Sequence, residues 1–316
     1  MPKQISILVS IVLLTFLFTN CKKNVDLSFE IAGVSTQNYP VVDGSTSTSP
    51  LQNLVACKLL GIPYEWRARL EFDNVWYLGP KYDQIPAGFN YSQRILTSTT
   101  HGSFLNLIDK KADYILAART MSDDEKTHAN EKSVTLTETP IALDAFIFII
   151  NSKNPVKNLT TQQIRDIYTS KITNWKEVGG NDAPIKPYMR NRNSGSQEKM
   201  EKLVMQGLTM DDFPLDLESS MMGAFNAIRA DENGICYTVY YYKEQMARTS
   251  WAKHIAVDGI YPDKNTIANK SYPYVTSIYS VIRTDLDKNS MAHKIYDLML
   301  TNAGKRVIGE SGYIAN

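Results

Sequence analysis

Residues 188–199, reading YMRNRNSGSQEK, constrain the fold more than any other stretch of this 316-residue chain. Ile185, Pro187 and Met189 alternate with polar neighbours, which predicts a short strand ending at Arg190. A polar turn at residues 191–193 follows. Ser-Gly-Ser at 194–196 then opens a predicted helix, because the apolar positions after it recur at intervals of three and four: Met200, Leu203, Val204 and Gly207.

A helix start of this composition favours an anion. The first turn leaves about four backbone N–H groups without internal acceptors, and the helix dipole makes that end positive. Ser194 and Ser196 add hydroxyl donors, Gly195 allows close approach to the backbone, and Arg190 offers a planar fork of N–H groups. The alternative is that Ser194 only caps the helix and Arg190 is a surface charge.

The same order of strand, hydroxyl-rich turn and helix occurs once more, and a third hydroxyl-rich turn opens another predicted helix. Val41-Val42 leads into DGSTSTSP at 43–50 and then an apolar helix at 51–60. A third polar stretch, STTHGS at 98–103, precedes residues with helical spacing from Phe104 onward. Helix starts from different parts of the chain could face one ligand. These two turns supply further candidate ligands: Ser45, Thr46, Ser47, Thr48, Thr100, His101, Gly102 and Ser103.

The first residues form a targeting segment. Lys3 precedes an apolar run at 5–18, which is too short for a comfortable membrane span and is followed by Cys21. This resembles a bacterial lipoprotein signal, although Phe18 and Asn20 are unusual for one; ordinary secretion with cleavage elsewhere is the alternative. Residues 1–20 would be removed, Cys21 would be lipidated, and residues 21–40 would form a tether and first strand.

The remaining chain has 33 basic and 33 acidic residues. This balance argues against nucleic acid or an anionic membrane surface as a partner, so an anion site must be local. Cys57 and Cys236 each lie in an apolar run, which favours buried free thiols over a disulfide. The four histidines are scattered, and no motif indicates a metal or a cofactor.

Predicted strands alternate with predicted helices along the chain, and several polar turns follow strands. The strand at 141–150 is almost unbroken in its apolar character, as in a strand covered on both faces. The fold class is therefore α/β, with ligands expected beyond the carboxyl ends of strands.

The combined motifs resemble the phosphate-type substrate-binding proteins of bacterial ABC importers. They are VDGSTSTSPL (42–51), DKKADYILAARTMSDDE (109–125), ALDAFIFIIN (142–151), QIRDIYTSKITNWKEVGG (163–180), RNRNSGSQEKMEKLV (190–204), NGICYTVYYY (233–242) and AGKRVIGESGYIA (303–315). The resemblance covers roughly residues 41–315. It implies a two-lobed, periplasmic-binding-protein-like (type II) fold, each lobe a sheet flanked by helices, with lobe one at 41–143 plus 273–316, lobe two at 144–272 and the ligand cleft between them.

The resemblance also implies a set of ligand contacts. Residues 45–48 and 100–103 would bind the anion from lobe one, and Arg190 with residues 194–196 would bind it from lobe two. The best-known members place an Asp at the end of the strand that matches residues 112–118, and the matching position in this chain is near Arg119. A carboxylate accepts a hydrogen bond from protonated phosphate and repels fully ionised sulfate, whereas Arg only donates. Arg119 is therefore a candidate ligand that would favour a dianion if it faces the cleft.

Three functions follow from these observations. The first is a lipid-anchored, monomeric carrier that captures phosphate or a similar oxyanion and passes it to an ABC permease. The second is a sensor or scavenging lipoprotein on the same fold. The third, an enzyme, is disfavoured because no nucleophile–base pair, paired carboxylates or metal cluster is evident.

Overall fold

The computed structural model describes residues 28–69, 75–191, 194–213 and 221–316. The signal segment 1–20, the lipidation candidate Cys21, and Arg192 and Asn193 of the polar turn lie outside the described residues. The first strand expected within 21–40 is not present in residues 28–40, which form turns instead. Asn38 stabilises one of these turns, because its side chain accepts a hydrogen bond from Ser35 N and donates one to Gly33 O.

The described residues form both helices and strands, mixed along the chain. The helices are α1 (Ser49–Leu60), α2 (Tyr91–Arg94), α3 (Thr99–Ile108), α4 (Asp123–Glu131), α5 (Thr161–Tyr168), α6 (Gly195–Lys199), α7 (Gly223–Ala230), α8 (Lys264–Ala268), α9 (Met291–Met299) and α10 (Asn302–Ser311). The strands are β1 (Val42–Gly44), β2 (Tyr64–Arg69), β3 (Val75–Pro80), β4 (Tyr114–Ala117), β5 (Leu136–Asn151), β6 (Asn158–Leu159), β7 (Lys186–Pro187), β8 (Gly234–Val239), β9 (Ala252–His254), β10 (Ala256–Val257), β11 (Val275–Arg283) and β12 (Ile314–Ala315).

The chain's own capping residues set several of these helix starts. Ser122 and Glu125 form a capping box at α4, and Thr160 with Gln163 forms another at α5. The helix α6 begins after Ser194, whose hydroxyl accepts a hydrogen bond from Gln197 N at 3.0 Å, and it continues as a π-helical turn at Met200–Met205.

A central sheet connects the two lobes in the order β1-β4-β11-β5-β8-β7, with β12 and β9 also paired to β5. The strand β5 crosses between the lobes. Its first part pairs with β11 as far as Val275↔Ala145, and its second part pairs with β8 from Phe146↔Val239 onward. The lobes therefore share one continuous strand, and the side chains from Phe146 to Ile150 are fully buried, as the apolar run predicts.

The length of β5 differs from the prediction, which broke the strand before residue 141. Pro140 lies within it and pairs with Tyr279. Proline cannot donate to a ladder. The register shifts between Ile278 and Tyr279 at this point, so an irregularity in the pairing accommodates Pro140.

The KITNWKEVGG motif builds the core of lobe two and not the cleft. Trp175 is buried, and its indole N–H donates to Asn233 O at 3.0 Å. Gly180 packs directly against Trp175, since an added Cβ would lie 2.8 Å from Trp175 Cβ. Cys57 and Cys236 are buried free thiols, as expected. Within the described ranges, each helix is too short or too polar to cross a lipid bilayer.

Candidate functional site

A cavity of about 120 Å³ lies where three helix starts meet. At about 30 Å³ per water, it holds roughly four waters, far less than the 300 Å³ or more of a drug-sized pocket. Its size therefore suits a small inorganic ion. The lining residues are Ser45, Thr46, Ser47, Thr99, Thr100, His101, Ala118, Arg190, Asn191, Ser194, Gly195, Ser196, Lys199, Met221 and Val239.

The first wall belongs to the turn between β1 and α1. Ser45 is held at the end of β4, because its N–H donates to Leu116 O at 3.0 Å and its hydroxyl accepts from Ala118 N at 2.9 Å. A second hydrogen bond of 2.8 Å joins Ser45 Oγ to Thr100 Oγ1. Thr46 and Ser47 follow in a single 3₁₀ turn, where the first N–H groups have no helical acceptor.

The second wall is the start of α3. The helix begins at Thr99, so Thr100 and His101 lie in its first turn and not before it. Thr99 has a φ of 65°, a left-handed conformation that β-branched residues rarely adopt. Such strain persists only where the surroundings impose it, and it is typical of ligand sites. His101 Nδ1 lies 2.9 Å from Glu125 Oε1.

The third wall comes from lobe two. Arg190 is 2% exposed, and its backbone N–H donates to Gln197 Oε1 at 3.2 Å and to the Tyr237 hydroxyl at 3.1 Å. These bonds fix the chain between β7 and α6. The buried Arg190 side chain and the N-terminus of α6 therefore present positive charge to the same small cavity.

The lobes touch directly at the cavity. An added Cβ on Gly195 would lie 2.9 Å from Thr100 Oγ1, across the boundary between α6 and α3. Arg119 of lobe one also forms an ion pair with Glu198 of α6. The described structure is thus one in which the two lobes are closed on each other around the cavity.

Three of the candidate ligands do not line this cavity. The Thr48 hydroxyl donates to the backbone oxygens of Ser45 and Leu116, and it accepts from Gln52 Nε2. Ser103 is fully buried, and its hydroxyl donates to Thr100 O at 2.9 Å. Thr48 and Ser103 therefore stabilise the helix starts. Gly102 faces Ser98, since a Cβ added to Gly102 would lie 3.1 Å from Ser98 Cβ, and Gly102 does not line the cavity.

Arg119 is also absent from the cavity lining. Both terminal nitrogens of its guanidinium bind the fully buried Glu125 carboxylate at 2.8 Å, and Glu198 pairs with its Nε. Because two carboxylates already neutralise this cation, it adds no free positive charge for an anion. Burial is the largest single effect on its pKa and lowers it, but the hydrogen bonds to Glu125 and the charges of Glu125, Glu198 and Asp124 together raise the pKa above its usual value.

One cationic lining residue was missed at the sequence level. Lys199 lies one turn after Gly195, at a spacing of four, so a helical reading of the stretch places the two on one face. Its side chain is 6% exposed. Burial lowers the pKa of its ammonium to about 8.

The family follows from comparison with known proteins. Residues 82–297 match the model described as the PBP superfamily domain, and the chain therefore belongs to this superfamily. The two-lobed α/β architecture agrees with this assignment.

Two curated relatives each align with about two thirds of this chain. A phosphate-binding protein PstS of Staphylococcus epidermidis is 26% identical over 224 residues, covering 69% of this chain and 68% of the relative. Protein SphX of Synechococcus elongatus is 22% identical over 227 residues, covering 68% and 67%.

Two solved structures share the fold. A Clostridium perfringens protein assigned as a phosphate ABC transporter substrate-binding protein, with phosphate bound, superposes with a TM-score of 0.63 at 24% identity over 90% of this chain and 99% of that one. An ABC-type phosphate transport receptor of Vibrio cholerae gives 0.60 at 21% identity over 91% and 100%.

Proposed function

We propose that this protein is an extracytoplasmic solute-binding protein, which captures inorganic phosphate or a similar oxyanion between its lobes and delivers it to an ABC importer. One observation carries the proposal: three helix starts, from both lobes, surround a 120 Å³ cavity that the buried Arg190 also lines. The named function of the PstS relative supports the choice of phosphate.

Lobe closure is the proposed mechanism of capture. Hydroxyl and N–H groups of Ser45, Thr46, Ser47 and Thr100 bind the anion from lobe one, while Arg190 and residues 194–196 bind it from lobe two. His101 lines the same cavity but pairs with Glu125. A ligand that bridges both lobes favours the closed state by the free energy of its second set of contacts.

The proposal also includes the bounds of the two lobes and a lipid anchor. Lobe one comprises 41–143 and 273–316, and lobe two comprises 144–272. Cys21 is the lipidated N-terminus that anchors a monomer to a bacterial membrane. Labelling with a radioactive fatty acid in a bacterial host tests the anchor: wild type should incorporate label, Cys21→Ser should not, and label in both would refute it.

A sensor or scavenging protein on the same fold remains the alternative, because the fold does not specify the downstream partner. Catalysis is not part of the proposal. The Ser45 hydroxyl is bonded to Thr100 and Ala118 N, and the Ser194 hydroxyl caps α6, so neither is paired with a base. Incubation with a chromogenic phosphate ester should release no product; steady turnover would count against a pure binder.

Calorimetric titration of the refolded, ligand-free protein with phosphate and with sulfate tests the central claim. Wild type should bind at least one of the two. Arg190→Gln should lose about 2–5 kcal/mol of binding free energy, since a buried charge partner is removed. Arg306→Gln, on the exposed face of α10, is the matched control and should bind as wild type does. Equal binding by the Arg190 variant would refute the site.

A further inference from the structure

A buried lysine beside the anion cavity is not explained by the contacts described so far. Lys199 is only 6% exposed, and it lines the cavity together with Arg190, Gly195 and Ser196. Among the described residues, no carboxylate forms an ion pair with its ammonium. An unpaired buried charge is costly, so the group requires an anion or loses its proton.

The charges that face Lys199 come from three elements. Asp144 on β5 favours the charged ammonium, Arg119 after β4 disfavours it, and Glu198, its neighbour on α6, favours it weakly. Burial is the largest effect and lowers the pKa to about 8. His101 and Arg190 line other walls of the same cavity.

Asp144 lies where β5 crosses between the lobes. Its Oδ1 accepts hydrogen bonds from Ala145 N at 2.8 Å and Tyr241 N at 2.9 Å. Its Oδ2 is buried and makes no hydrogen bond with the described residues. Burial raises the pKa of this carboxyl to about 6, so it is ionised at neutral pH, and its charge favours the ammonium of Lys199 more than that of Glu198 does.

We propose that Lys199 is a second cationic ligand of the bound oxyanion, and that Asp144 is a positioning residue that keeps Lys199 charged while the cavity is empty. This inference rests on the proposed function. Lobe two then contributes two cations, Arg190 and Lys199, and lobe one contributes neutral hydroxyl and N–H donors. Two cations select for charge, so the site takes tetrahedral dianions in preference to tetrahedral monoanions.

The sign of the pH dependence follows from the same arrangement. A bound dianion stabilises the ammonium and raises the pKa of Lys199 above its value in the empty site. Above about pH 8 the empty protein must take up a proton to bind, and affinity falls by up to about tenfold per pH unit. Inorganic phosphate is largely dianionic above about pH 8, so the ligand's own ionisation contributes little to the loss of affinity there.

Calorimetry with phosphate between about pH 7 and about pH 10 tests the proposal on wild type, Lys199→Met and Lys202→Met. Lys199→Met should bind at least about thirtyfold more weakly at pH 7, and its affinity should not change with pH above about pH 8. Lys202 is half exposed on the following helical turn, where it pairs with Glu198, and its variant should keep the wild-type profile. Asp144→Asn should shift the loss of affinity to lower pH, an effect that a merely structural residue would not produce.

Perchlorate, a tetrahedral monoanion, provides the charge test. Wild type should prefer sulfate or phosphate over perchlorate, and Lys199→Met should reduce that preference by at least about tenfold. Because the variant removes a buried charge, its unfolding midpoint should equal or exceed that of wild type. If it fails to fold, NMR of ¹³C-labelled lysine in wild type gives the same answer: the pKa near 8 should rise when phosphate is added.

The outcomes separate the two claims. Wild-type binding with an unchanged affinity and pH profile in Lys199→Met overturns the role of Lys199 and leaves the proposed function intact. A lysine pKa that phosphate does not move overturns it as well. If wild type binds neither phosphate nor sulfate, the proposed function and this inference fail together.

Discussion

Replacing Gly195 with alanine should weaken anion binding without destabilising the empty protein. The added Cβ would lie 2.9 Å from Thr100 Oγ1 and 3.5 Å from Thr100 Cβ, and the two residues belong to different lobes. Contact distances of 3.4–4 Å are ordinary for a Cβ, so the pair must separate by about half an ångström. Thr100 cannot turn away freely, because its hydroxyl is held by Ser45 Oγ at 2.8 Å.

The magnitude follows from this geometry. Overpacking of one methyl group costs about 1–3 kcal/mol, which corresponds to a loss of affinity between about fivefold and about a hundredfold. The cost falls on the closed state alone, since Gly195 meets Thr100 only when the lobes are together. When the lobes are open, the clash is absent. Alanine also reduces the conformational freedom of the unfolded chain, so the free energy of unfolding of the ligand-free protein should rise slightly.

Two measurements therefore move in opposite directions. Calorimetry should show weaker phosphate binding, and thermal unfolding without ligand should show an equal or higher midpoint. Gly309→Ala is the matched control, because an added Cβ there meets nothing within 4 Å on the exposed face of α10. In the double variant with Thr100→Ala, the clash disappears, so the two losses should not add. Wild-type affinity in Gly195→Ala would refute closure in the described geometry.

Three further predictions concern stability. Arg119→Met should lower the free energy of unfolding by about 3 kcal/mol, since it removes the bidentate arginine partner of the fully buried Glu125, which keeps, among the described residues, only its hydrogen bonds with His101 and Ser122 N; calorimetry should show anion affinity within about threefold of wild type. The pKa of Asp144, raised by burial from 3.8 to about 6, means that the folded state holds this proton more tightly. Its ionisation therefore costs stability as pH rises from about 4 to about 6, and urea unfolding should show Asp144→Asn gaining about 3 kcal/mol over wild type across that window. Gly180→Ala should lower the unfolding free energy by about 1–3 kcal/mol, because its Cβ would lie 2.8 Å from Trp175 Cβ.

Each of these has a control and a contrary result. Lys126→Met removes an exposed ion pair with Asp123 and should change stability little, in contrast to Arg119→Met. A hundredfold loss of affinity in Arg119→Met with unchanged stability would place Arg119 on the anion. A constant difference between Asp144→Asn and wild type at all pH values would mean that the carboxyl titrates normally. If Gly180→Ala unfolds at the same midpoint as Gly309→Ala, then the space between Gly180 and Trp175 can accommodate a methyl group, and the prediction is wrong.

Local rules predicted the parts of the site that depend on neighbouring residues. Ser194 caps α6 as its spacing to Gln197 allows, and Ser122 caps α4 through Glu125. The apolar run in β5 required a strand covered on both faces, and the structure has one. Two of the three hydroxyl-rich turns were expected to converge because they follow strands, beyond whose carboxyl ends ligands bind in α/β folds. The turn at 98–103 follows the helix α2 instead, and only its hydroxyl-rich helix start pointed to it.

Features that depend on distant partners were not predictable. Whether a hydroxyl faces the cavity depends on which acceptors are nearer: Ser45 faces it, whereas Thr48 turns to Leu116 O, a residue 68 positions away. The sequence presents Arg119 as a cation that could bind an anion. It does not show that Glu198, which comes from the other lobe, pairs with this arginine. From the sequence alone, Lys199 resembles any lysine of a surface helix. Only the fold shows that its side chain is buried and lines the cavity.

The discontinuous construction of lobe one has a consequence for folding. β4 pairs with β11 through contacts such as Ile115↔Val281, and β12 at the very end of the chain pairs with Ala142 of β5. In the proposed division of the chain, lobe two is an insertion into lobe one, and its strands β7, β8 and β9 are complete before β11 is synthesised. It can therefore fold first, while lobe one waits for long-range closure by the C-terminus, a topology that slows folding. Removing residues from β11 onward should leave a folded lobe two and a lobe one without its sheet, so a binding-competent cleft forms only after synthesis ends.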